Sequence, residues 1–172
     1  MNRRTALKIV ALSAISARSE TWAANCVVHS DVRAGWAAGD YKLQFFTTGE
    51  NQLLDEAMDM IVPADGQSGG AHAAKVSLFA DRMVSTASDS GKTEWRIGLQ
   101  LLKDAAAKSS LADALAHAAA GEMSPQTDLE RFFVTLKEMT VKGYYSSEIG
   151  IHQDLEYQGN TYVAEFPECK NH

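Results

Sequence analysis

Cysteine and cofactor fingerprints are both scarce in this 172-residue chain, and each shortage excludes something. The two cysteines, Cys26 and Cys169, cannot form the Cys-x-x-Cys-His motif that attaches a c-type haem. No Cys/His cluster has zinc spacing. Gly-x-Gly-x-x-Gly is missing, as are the phosphate-binding loop and the Gly-x-Ser-x-Gly elbow, so nothing marks a nicotinamide, flavin, nucleotide or serine-hydrolase site. No apolar run reaches the roughly 20 residues that span a bilayer. No run of alternating residues reads as a strand, and no internal repeat is present.

What is there begins at the N-terminus. Arg3 and Arg4 are followed by Thr5-Ala6-Leu7-Lys8 and the weakly apolar Ile9–Ala17 stretch. Paired arginines ahead of a short apolar segment read as an address for the bacterial twin-arginine translocase, with Arg3, Arg4, Leu7 and Lys8 carrying the match. The expected organisation is a signal segment over 1–24 and one domain over 25–172, placed in the periplasm. Thr21-Trp22-Ala23 and Trp22-Ala23-Ala24 are the nearest cleavage sites. The translocase moves folded proteins, often already loaded with cofactor. A folded-protein tag on a chain with nothing to load makes sense if the tag serves a partner.

Apolar content of 45% suits a globular protein. The first 24 residues hold four of the 16 basic side chains and one of the 22 acidic ones, leaving the remainder at a net charge of −9. An acidic domain argues against nucleic acid and anionic lipid as partners. The even cysteine count and an oxidising compartment favour a Cys26–Cys169 bridge over two free thiols. Such a bridge would close a loop of roughly 140 residues, for about 4–5 kcal/mol in the chain-entropy model.

Helical spacing governs the middle of the chain. Leu53, Leu54, Ala57, Met58, Ile61 and Val62 predict one amphipathic helix, ended by Pro63. The loop that follows, Pro63 to Gly70, has three glycines in five residues, which implies positive φ or close backbone approach. Val76, Phe79, Ala80, Met83 and Val84 predict a second helix. A third, carrying Trp95, Leu99 and Leu102, is expected to be capped by Thr93 after a polar link from Ser85 to Lys92. Leu111 to Ala120 predicts a fourth, stopped by Gly121. Ser124-Pro125 predicts the start of a fifth, with Phe132, Phe133 and Leu136 in the core and Gly143 as a left-handed C-cap. The fold class is all-α: a small irregular helical bundle with a long non-regular C-terminal tail from Tyr144.

Residues able to do chemistry are few. His152, Asp154 and Glu156 alternate in the tail, and Asp65 precedes His72 across the glycine loop. An autonomous metal-dependent enzyme or ligand-binding domain would use His152, Asp154 and Asp65. The simpler reading has Asp65 bonding turn amides and His72 in a first helical turn. His117 reads as a core-edge or surface residue. His29 and His172 fall in segments without a pattern. The exposed-tyrosine preference of contact surfaces suggests Tyr144, Tyr145 and Tyr157 as partner-facing.

Several segments together carry a resemblance. The leader, Ile61-Val62-Pro63-Ala64-Asp65 with Gly69-Gly70-Ala71, Phe132-Phe133-x-x-Leu136, and Thr140-Val141-Lys142-Gly143-Tyr144-Tyr145 make the chain similar to the small subunit of gluconate 2-dehydrogenase. The same family includes the gamma subunits of glucose and glucoside 3-dehydrogenases. The resemblance implies a chain with no catalytic residue, cofactor or metal of its own. FAD would sit in a large flavoprotein of the glucose–methanol–choline type, and haem c in a cytochrome c that accepts the electrons. The small subunit would act as chaperone and export escort of the flavoprotein, reaching the inner membrane through the complex. Pro63, Asp65, Gly69, Gly70, Tyr144, Tyr145, His152 and Tyr157 would face that partner. After Tyr145 the chain reads Glu148-Ile149-Gly150 where Gly-Gly-Asn is the commoner pattern, so gluconate, glucose and a glucoside all stay open as the partner's substrate.

Overall fold

A computed structural model describes residues 41–159, which form helices joined by loops, with no strand among them. The elements are α1 (Thr48–Ile61), a short α2 (Gly70–Ala73), α3 (Val76–Ser85), α4 (Asp89–Lys108), α5 (Leu111–Ala120) and α6 (Asp128–Tyr145). A π-helical turn, Ile149–Asp154, follows α6. The all-α bundle expected from the sequence is the observed fold.

Local chemistry explains most of the helix ends. Thr47 and Glu50 form a capping box at α1, with the Thr47 side chain accepting from the Glu50 amide and the Glu50 carboxylate accepting from the Thr47 amide. Thr127 and Glu130 repeat the device at α6. Ser88 caps α4 and Ser110 caps α5. Gly121 closes α5 as expected.

Four sequence expectations are corrected. Ser88, not Thr93, caps α4, so Asp89–Lys92 is helix and Thr93 donates to the Asp89 carbonyl one turn back. Ser124-Pro125 precedes α6 without capping it, because Thr127 has the glutamate three residues on that completes the reciprocal pair. Gly143 is not a left-handed cap. It is buried inside α6, where a Cβ would come within 2.7 Å of Val76 Cγ1, so it allows α3 to approach closely. The tail is not wholly irregular, since the Leu155 N–H reaches back five residues to the Gly150 carbonyl at 3.0 Å.

Helix α6 is the hub of the bundle, packing against α1, α3, α4, α5 and the π-helical turn. Its Phe132, Phe133, Leu136 and Tyr144 are buried among Leu54 and Met58 of α1, Val76, Ala80 and Val84 of α3, and Leu99 and Leu102 of α4. An aromatic column runs through the core: Trp95 lies 5.9 Å from Phe46 and meets Phe132 edge-on at 5.4 Å. The Trp95 indole N–H has no partner among the described residues, and ring packing of this kind, worth about 0.5–1.5 kcal/mol beyond burial, offsets part of that cost.

Candidate functional site

The segment between α1 and α2 is where the sequence points, and it is built largely from backbone. The Val62 N–H still bonds to Met58, and Pro63 then ends the helix. One carboxylate oxygen of Asp65 accepts from the amides of Gln67 and Ser68, both at 2.9 Å, while the Asp65 amide donates to the Ser68 carbonyl at 3.0 Å. This is a tight Asx-type turn. Asp65 thus organises turn amides, as the simpler sequence reading expects.

Gly70 closes the loop. Its φ is +72°, and a Cβ there would lie 2.5 Å from the Ala64 nitrogen. Both demands leave room only for glycine. The Ala71 N–H then returns to the Val62 carbonyl at 2.8 Å, so the loop leaves and re-enters the body at nearly one point. Beneath it, Ser68 Oγ lies 2.6 Å from the Tyr144 hydroxyl in the interior.

The sequence-predicted residues divide accordingly. Pro63 and Asp65 are exposed on the loop, Gly69 is half-buried and Gly70 is buried. Tyr144 is fully buried, which corrects the expectation of a partner-facing side chain: its ring belongs to the core and its hydroxyl props the loop from below. Tyr145 is half-buried and meets Tyr144 edge-on at 5.1 Å. His152 is exposed, with Nδ1 3.2 Å from the Tyr157 carbonyl oxygen, and the Tyr157 side chain is itself exposed. The π-helical turn packs against α2, so loop and tail share one end of the bundle. Arg3, Arg4, Leu7, Lys8, Cys26, Cys169, His29 and His172 lie outside the described residues.

A second polar cluster was not legible in the sequence. His72 Nδ1 makes a short contact with an Asp55 carboxylate oxygen, and its backbone N–H donates to Asp59 at 3.2 Å. The Ser77 hydroxyl donates to the other Asp55 oxygen at 3.0 Å. The hydrogen bond and the charge of Asp55 hold the His72 pKa above its ordinary value, against a small opposing effect of burial and with help from Asp59. Asp55 stands between serine and histidine, so the Ser77 hydroxyl donates to the carboxylate rather than to the imidazole. The only advance hint was two aspartates four residues apart on α1.

Asp81 was also missed, for want of any signal beyond its place beside Ala80. It is buried and accepts backbone N–H groups from Gln44, Phe45 and Phe46. Among the described residues no three His, Cys, Asp or Glu side chains are grouped to hold a metal, so His152, Asp154 and Asp65 do not converge. No helix among them is long and apolar enough to cross a membrane.

Comparison with curated proteins and with solved structures found no match. The family model for gluconate 2-dehydrogenase subunit 3 matches residues 48–162, starting with the first residue of α1 and taking in the loop, α6 and the π-helical turn. The match covers about two thirds of the chain, and the protein therefore belongs to the gluconate 2-dehydrogenase subunit 3 family.

Proposed function

We propose that this chain is the non-catalytic small subunit of a periplasmic sugar or sugar-acid dehydrogenase, escorting a flavoprotein of the glucose–methanol–choline type through the twin-arginine translocase and stabilising it afterwards. FAD belongs to that partner and haem c to a cytochrome c subunit. The observation that carries the reading is the family match across 48–162, since that family is a subunit of a dehydrogenase complex. The chemistry of the candidate site supports it: Asp65 is committed to turn amides and Asp55 to Ser77 and His72, which suits a presenting surface better than a reacting one. The exposed Pro63 and Asp65, with Leu155 and Tyr157 of the tail, are the side chains offered to the flavoprotein. A permanent complex of this kind would bury on the order of 2,000 Å² or more.

The test is co-expression with a flavoprotein of the glucose–methanol–choline type from the same genome. The wild-type chain should bring active, FAD-loaded flavoprotein to the periplasm, and Arg3→Lys with Arg4→Lys should leave both proteins inside. Normal export of active flavoprotein without this chain would overturn the reading.

A further inference from the structure

The three residues just ahead of the α1 cap are fastened to the body from two sides. Asp81 of α3 accepts from the Gln44 amide at 2.7 Å through one carboxylate oxygen, and from the Phe45 and Phe46 amides at 2.9 and 2.7 Å through the other. On the other side, Arg96 of α4 donates to the Phe45 carbonyl at 3.0 Å, lies 4.4 Å from the Phe45 ring centroid, and donates to Glu50 at 2.9 Å. Phe46 is buried against Trp95. Hydrogen bonds to a carboxylate are about twice as strong as neutral ones, and a buried one is shielded from competing water.

We propose that residues 44–46 are a strap, through which a pull applied at Lys42 enters the folded body at Asp81 and Arg96 rather than at the first turn of α1. The chemistry points there because the bonds are made to backbone. They do not depend on which side chains stand at 44 and 45, but they do depend on the acceptor and the guanidinium. They join positions 35–37 and 51 residues apart, so the strap closes only when α3 and α4 are already packed. Were it open, the same pull would meet the Thr47–Glu50 capping box, whose bonds are exposed and local, and would peel α1 from its end.

Force spectroscopy on the full chain tests it. Under reducing conditions, one set of handles is placed at Lys42 and Gly159, and a second set at Gly49 and Gly159, so that only the first load path crosses the strap. Asp81→Asn should lower the force of the first opening event with the Lys42 handle and leave it unchanged with the Gly49 handle, and Arg96→Ala should act in the same sense. Gln44→Ala, which keeps the amide and loses only the exposed bond that its side chain accepts from the Ser85 hydroxyl, should lower it less than Asp81→Asn does. An equal fall with both handles would mean general destabilisation and overturn the proposal, as would no fall at all. Hydrogen exchange on the wild-type chain gives a reading even if Asp81→Asn fails to fold. The Gln44, Phe45 and Phe46 amides should exchange at least about tenfold more slowly than the neighbouring exposed loop amides, the size expected for one hydrogen bond to a charged group. Exchange at the exposed-loop rate would refute the strap. None of these outcomes bears on whether a flavoprotein is the partner.

Discussion

The hydroxyls of Ser68 and Tyr144 meet at 2.6 Å, 76 residues apart in sequence and buried at both ends. The contact ties the loop ahead of α2 to the last turn of α6, just ahead of the π-helical turn. Through it the loop and the hub helix are fixed with respect to each other.

Removing one hydroxyl tests that tie. Tyr144→Phe keeps the ring in the core and deletes the bond, so stability to urea should fall by about 1 kcal/mol. The amides of Gln67 and Ser68 should exchange faster while those of α4 do not. A variant with unchanged loop exchange would show that the turn stands on Asp65 alone.

Gly70 and Gly66 should differ sharply. Alanine at Gly70 meets a left-handed backbone, costing about 1–2 kcal/mol, and a clash with the Ala64 nitrogen besides. Alanine at Gly66 meets nothing within 4 Å and should be close to neutral. Thermal unfolding of the two variants side by side measures the contrast, and equal midpoints would contradict the loop geometry.

The His72–Asp55 pair gives a pH signature. A histidine whose folded pKa is raised contributes stability that is full below its unfolded value, near 6.5, and is lost as pH rises through the folded value. The His72 side chain is 72% exposed, so solvent screening limits the contribution to about 0.5 kcal/mol. His72→Gln should flatten that loss, and an NMR titration of His72 should show an elevated midpoint that falls in Asp55→Asn. Glu50 works in the opposite sense. Burial would raise its pKa, but the Thr47 hydrogen bonds and Arg96 outweigh this and hold it below 4.5. Its contribution is therefore present above that pH and lost as pH falls through the lowered value.

Much of the architecture was legible because it is local. The three- and four-residue spacing of Leu54, Ala57 and Met58, of Val76, Ala80 and Val84, and of Phe132, Phe133 and Leu136 marks the faces that the bundle buries. Helix boundaries were less legible, because neighbouring polar residues compete for each cap. Thr93 and Ser124 have the right chemistry, but Ser88 and Thr127 have the amide, or the partner glutamate, at the right offset. Gly143 looked like a stop because glycine often is one. What it provides is room for Val76 and Phe79, which sequence spacing does not reveal.

The sequence by itself determined an all-α chain, the Asp65 turn, the requirement for glycine in the loop and the family resemblance, since each depends on residues within a few positions of one another or on a short motif. Only the tertiary structure decided that Tyr144 faces inward to Ser68, that Asp55 joins Ser77 to His72, and that Asp81 holds Gln44, Phe45 and Phe46. The physical reason is distance along the chain. Side-chain periodicity says which face of a helix is buried, but which polar atoms meet there depends on how separately formed helices pack, and that is settled only when the core closes.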